Sequence, residues 1–316
     1  MRAVGRDGTP RSTAEGIRNV LGATVHADQV GPDCFGVGEH HTVSMPASPP
    51  GTPLAADAAA TSNIVLGSAA SIISTDDPVR VFQQLATADA ISGGGRVEIT
   101  AGRGSSVGTF PLFGSELRDY DRLYSETLEL LMALNNAQTE NVSWSGTVRP
   151  AIDNLAVVPR PVRWRLPLWI ATRGSPASSA RRCQPCVVRP GGAPAPAGLK
   201  ESVAALGLVA PSKKEALERF YPGWCNLNLE MGRLRGWPAP DRGACLVQTE
   251  AHGAYHVGDP DEVAERMVHL HGCLGHMRHF LQGDIGWLPH EHLLESITLL
   301  ATSATFRLVL ATRKPL

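Results

Sequence analysis

Glu39, His40 and His41 follow a short stretch, 33–38, that reads as a buried strand. Imidazoles in that position can hold or move a proton near neutral pH. Neighbouring side chains on an extended segment face opposite ways, so the two histidines do different jobs. A packed, hydrogen-bonded structural pair would use the same residues. Zinc is the weaker reading, because a third protein ligand has no assignment. Arg103 lies in AGRGSS, directly after another strand candidate. Its guanidinium fork matches phosphate oxygens, and the flanking glycines let the backbone approach an anion closely. A solvated surface arginine is the plain alternative. Gly174, Ser175 and Ser178 sit where a tight turn leads into a helix, and such N–H groups and hydroxyls bind anions. Ala69 and Ala70 end the segment NIVLGSAAS; they are either core alanines or a floor small enough for a planar ring.

Other conspicuous residues carry less chemistry. His271, Cys273, His276 and His279 crowd one run, but their spacing matches no metal finger, so no metal is expected. Cys183 and Cys186 form a CxxC without the second pair that zinc would need. Trp144, Trp169 and Trp237 are residues that can line an organic pocket or simply pack.

Strands and helices alternate around these residues. Ser12 predicts a helix cap, with the helix reaching about Gln29. Asp77 and Pro78 predict the start of a helix ending near Ile91, before a turn at Gly93–Gly95. Strands are expected at 63–71, 96–100, 167–172, weakly at 184–188, in the apolar stretch 203–210, and at 279–282. Helices are expected at 53–62, 116–134, from Ser212 to Phe220, at 260–270 and at 289–301; Val142–Ser145 is expected to start a hairpin. Short apolar strands separated by helices predict a parallel α/β fold. This pattern alone leaves a closed barrel and an open doubly wound sheet both standing.

Composition sets the outer limits. The chain has 316 residues, 43% hydrophobic and 19% charged, with a formal net charge of −1. That balance argues against a nucleic-acid-binding field. Six scattered cysteines fit a reduced, cytoplasmic protein rather than a disulfide scaffold. No run of about 18 apolar residues predicts a membrane span.

Six segments, in order, resemble luciferase-like flavin-dependent monooxygenases: ADQVGPDCFGVGEHH (27–41), DDPVRVFQQLATADAISGGGR (76–96), AGRGSSVGTFPLFG (101–114), PLWIATRGSP (167–176), VGDPDEVAERM (257–267) and LPHEHLLESITLL (288–300). The likeness is mainly to the actinobacterial, natural-product type, including enzymes of antibiotic biosynthesis. It implies one TIM (β/α)8 barrel over residues 1–316, and reduced FMN supplied by a separate reductase. It also implies O2 chemistry on a small organic substrate, and a homodimer. The deazaflavin F420 is the alternative cofactor. The resemblance makes His40 catalytic, sets Arg103 with Gly174, Ser175 and Ser178 on the flavin phosphate, and lays the flavin ring over Ala69 and Ala70, where several members have a non-proline cis peptide.

Three departures stand against that pattern. MRAVGRDGTP (1–10) lacks the family's x-F-G-x-F first strand. Arg173 replaces a small or neutral residue. CQPCVVRPGGAPAPAGLK (183–200) replaces a strand and full helix with a proline- and glycine-rich segment. A second reading follows: a catalytically weak or inactive barrel that binds flavin or serves as a partner subunit.

Overall fold

The structure is a computed structural model that describes residues 4–5, 8–42, 45, 47–104, 108–172, 187–188, 200–236, 238–251 and 253–303, backbone only at 187–188, 231 and 234–235. Internal contacts divide the chain into two compact units, one of 33–171 and one of 1–32 with 172–316.

Helix α1 (Thr13–Val30) leads the second of these units. The Ser12 side chain accepts the Glu15 N–H, and Gly31 ends the helix at φ 105°, a conformation glycine adopts without a Cβ penalty.

In unit 33–171, β1 (Cys34–Val37) pairs in parallel with β2 (Val65–Ser68), and β2 with β4 (Val97–Gly102). Strand β3 (Ser71–Ile72) extends the pairing along β4, whose other partner is the parallel β7 (Leu168–Ala171). Between the strands run α2 (Gly51–Ala60), α3 (Pro78–Ile91), the single turn α4 (Thr109–Leu112) and α5 (Tyr120–Asn136). An antiparallel hairpin, β5 (Asn141–Trp144) and β6 (Ile152–Ala156), follows α5. Phe82, Leu85, Val97, Ile99, Leu130 and Leu131 are fully buried, so helices cover one sheet face.

Polar side chains fix the connections here. Asp77 accepts the Val79 N–H at 2.8 Å and caps α3 as the sequence predicts. Gly93, Gly94 and Gly95 all have positive φ (82°, 96° and 85°), which explains three successive glycines. Buried Asp89 secures that turn, accepting the Gly95 N–H at 2.7 Å and the Val162 N–H at 2.9 Å. Asn135 exchanges two hydrogen bonds of 2.9 Å with the backbone of Leu166, just before β7.

In the other unit the long β9 (Glu201–Val209) is central. It pairs in parallel with β8 (Val187–Val188), β10 (His256–Gly258) and β11 (Arg278–Gln282). Helices α6 (Lys213–Arg235), α7 (Arg242–Gln248), α8 (Pro260–Leu274) and α9 (His290–Thr302) complete it. α1 packs on α9, with His26 Nε2 2.7 Å from Thr298 Oγ1. Val4 forms isolated bridges to Pro10 and Pro289, in the place where the resemblance expects a first strand.

One helix is longer than expected. α6 does not stop at Phe220 but runs through Pro222 to Arg235. Phe220, Trp224 and their neighbours Leu217 and Leu227 recur at helical spacing and share a core with Leu208, Val257 and Ile285. That burial outweighs the local cost of an interior proline.

Among the described residues, no helix is long and apolar enough to cross a membrane.

Candidate functional site

The C-terminal ends of β1, β2 and β4 lie at one edge of unit 33–171, because the three strands run parallel and in register. In α/β folds this is the edge at which sites form. His40, Ala69, Ala70 and Arg103 all follow these strand ends.

Glu39 organises the β1 end. Its side chain is only 4% exposed, and both carboxylate oxygens are engaged. Oε2 accepts the Ile72 N–H at 2.8 Å, tying β1 to β3. Oε1 lies 2.6 Å from His41 Nε2. His41 adopts φ 50°, and its ring meets the edge of Phe113 at 4.8 Å between centroids. The His40 ring lies near Gly38: a Cβ there would stand 3.3 Å from His40 Nε2. The segment is not extended at His41, so strand alternation does not apply there, and the backbone N–H groups of both histidines donate to Ser48 Oγ, at 3.4 and 3.5 Å. Asp76 joins this region electrostatically: burial pushes its pKa up, opposed by the Asp77 N–H it accepts at 2.7 Å and by His41.

Ala69 and Ala70 occupy a floor almost without side chains. The peptide bond between them is cis. A Cβ on Gly36 would stand 2.8 Å from the Ala69 Cβ, one on Gly38 3.1 Å from the Ala69 oxygen, and one on Gly102 2.9 Å from the Ala70 Cβ. Glycine on both flanks is thus a packing requirement. Gly36→Ala is expected to cost about 1–3 kcal/mol through overpacking, read as a lower urea midpoint. A loss under about 0.5 kcal/mol would show that the strands spread freely there. Ala69 itself remains exposed at the surface of this floor.

Arg103 projects from the β4 end and is 36% exposed. Nη1 donates to Asp121 Oδ1 at 2.6 Å, and the guanidinium lies 4.6 Å from the Tyr124 ring centroid and 6.0 Å from that of Tyr120. The Tyr120 hydroxyl donates to the Gly104 carbonyl at 3.0 Å. Deeper in the sheet, Glu98 accepts the Trp169 indole N–H at 2.9 Å, so Trp169 packs against a carboxylate.

Gly174, Ser175, Ser178, Arg173, Trp237 and the Cys183–Cys186 pair lie outside the described residues. The described residues contain no group of three His, Cys, Asp or Glu side chains placed to hold a metal. His271 instead meets the His276 carbonyl at 2.8 Å, and His276 Nε2 is 3.4 Å from His279 Nδ1.

The sequence singles out His40, Arg103 and the alanines, but not Ile72, Phe113, Asp76, Asp121, Tyr120 or Tyr124. Each of these is identified by a partner distant in the chain, and no local spacing signals it.

Comparison with known proteins decides the family. The model of the luciferase-like monooxygenases matches residues 3–224. The chain belongs to the luciferase-like monooxygenase family. The uncharacterized protein y4vJ of Sinorhizobium fredii is 27% identical over 172 residues, 53% of this chain and 47% of that protein. The chain thus spans about half the length of the curated relatives it matches. Two solved structures show the fold along nearly the whole chain. Monooxygenase RslO1 from Streptomyces bottropensis superposes with a TM-score of 0.76 at 24% identity, covering 95% of each chain. The oxygenating constituent of 3,6-diketocamphane monooxygenase from Pseudomonas putida, in complex with FMN, gives 0.65 at 16% identity, covering 96% of this chain and 98% of that one. Of the two architectures that the strand pattern leaves open, membership of the luciferase-like monooxygenases selects the α/β barrel class.

Proposed function

We propose that this luciferase-like monooxygenase binds reduced FMN from a separate reductase and uses O2 to oxygenate a small organic substrate. The observation that carries the proposal is the bare Ala69–Ala70 floor, flanked by Gly36, Gly38 and Gly102, at the same strand-end edge as His40 and Arg103. A flat ring fits a surface without side chains, and a guanidinium at that edge fits a phosphate. The bound reduced flavin would supply the electrons for oxygen activation.

The chain's own residues would do the rest. Arg103, with Gly174, Ser175 and Ser178, would hold the phosphate. Ala69 and Ala70 would seat the ring. His40 would hold or move a proton at its imidazole, near the reacting edge. Glu39 would keep the His41 ring oriented through its 2.6 Å contact. The rest of the proposal is the resemblance's: a cytoplasmic homodimer acting in natural-product or antibiotic biosynthesis, within a single barrel domain. Val4's isolated bridges support the second reading, a catalytically weak barrel that serves as a flavin-binding or partner subunit.

FMN and riboflavin titrations of the unmutated chain and of R103A test the phosphate role. The partial exposure of Arg103 tempers the effect: R103A should weaken FMN binding about tenfold and spare riboflavin. Equal loss of both ligands would make the arginine structural. H40A should keep flavin affinity and lose turnover roughly a hundredfold. Full turnover in H40A would remove it from the mechanism. Binding of F420 but not FMN would transfer the site to the deazaflavin. Binding of neither by the unmutated chain would overturn the cofactor reading.

A further inference from the structure

The guanidinium available to a ligand phosphate is already neutralised from within the chain. Asp121, in the first turn of α5, places Oδ1 2.6 Å from Arg103 Nη1. The two stand 18 positions apart in the chain, so the pair is a product of folding. The partners differ in kind. Tyr124 and Tyr120 contact Arg103 through their ring faces, and a ring face does not compete with an anion for the guanidinium edge. Asp121 occupies a donor on that edge with a full negative charge. It is 84% exposed, so its carboxylate can leave for water without burying an unpaired charge. An ion pair this exposed is weak and screened by salt. A dianionic phosphate offers more charge and more acceptor oxygens to the same fork. While Asp121 stays nearby, however, its charge repels that phosphate.

We propose that Asp121 is a resident counter-anion for Arg103, replaced by the anionic group of an incoming ligand, and so sets how strongly the site prefers a dianionic phosphate. This rests on the reading of Arg103 as the phosphate contact. Asp121 is a specificity-determining residue that acts through charge at the phosphate end alone.

Asp121→Asn tests this, since it removes the charge and nearly preserves the shape. FMN and riboflavin are titrated against the unmutated chain and D121N at low and high salt. D121N should bind FMN about three- to tenfold more tightly at low salt, leave riboflavin unchanged, and lose its advantage as salt rises. Weaker FMN binding in D121N would overturn the proposal, showing instead that Asp121 orients the arginine. Equal tightening of both flavins would overturn it too, because the effect would then come from site shape. A second titration uses inorganic phosphate, followed through the Arg103 Nε–H resonance assigned by its loss in Arg103→Lys. D121N should saturate at a lower phosphate concentration. If flavins fail to bind while the phosphate response still tightens, the cofactor reading falls and the role of Asp121 stands. Identical phosphate responses in the two proteins would overturn the role itself.

Discussion

Arg96→Met is expected to destabilise the protein by about 3–4 kcal/mol, more than any surface charge removal. Arg96 precedes β4 and reaches back across the end of α2. Nη2 donates to the carbonyls of Ala58 and Thr61 at 3.1 and 2.9 Å, and Nη1 to the Ile64 carbonyl and Thr61 Oγ1 at 3.0 and 3.1 Å. The last carbonyls of a helix have no partner within it, and a cation there also opposes the helix dipole. Methionine fills similar space and donates nothing, so three carbonyls lose their charged donor together. For a chain of this size the thermal midpoint should fall by about 5 °C. Arg96→Lys should recover only part of the loss, since an ammonium lacks the two-armed fork. As a reference, Arg11 sits 4.0 Å from Glu15 with both side chains exposed, and R11A should cost under about 0.5 kcal/mol. Parity between R96M and R11A in calorimetry would show that the α2 end needs no guanidinium.

Stability should also fall steeply as the pH drops from about 6.5 towards 4, and His256 is the main reason. Its ring is 2% exposed, stacked at 4.7 Å on His279. Burial first, then the Arg266 and His276 charges, lower its pKa to about 4 from 6.5. The folded state therefore binds fewer protons than the unfolded state throughout that window. The contribution is fully present above 6.5 and disappears as the pH falls through 4. At full extent it is about 3 kcal/mol, with about 2 kcal/mol lost already by pH 5. His290, whose pKa burial also lowers, acts in the same direction. Urea midpoints at pH 7, 6 and 5 measure the slope, above the range where most carboxylates titrate. His256→Phe keeps an aromatic ring beside His279 and removes the titration, so its midpoint should vary much less with pH. An equal slope in H256F would acquit His256.

Local chemistry made much of this molecule readable from its residues. Ser12, Asp77 and Gly31 act within three or four positions of themselves, through caps and left-handed ends. Asp259 and Glu262 form a capping box at α8 for the same reason. The strand-end placement of His40, Ala69, Ala70 and Arg103 was also legible, because their segments keep the family's order. α6 continues past Phe220, where the proline that follows is a local stop signal, because the core that holds the helix together is built from distant segments.

The α/β class and the residue types gathered at one edge are written locally, since hydrophobic periodicity, caps and glycine conformations depend on neighbours along the chain. Which groups meet is a matter of packing between distant segments. Glu39 finds Ile72 across 33 positions, Arg96 finds Ala58 across 38, and Asp121 finds Arg103 across 18. A carboxylate or guanidinium, buried like that of Glu39 or exposed like that of Asp121, takes whatever donor or acceptor packing brings within reach. That choice follows from the register of β1, β2 and β4 and from the course of α5, which no local spacing records.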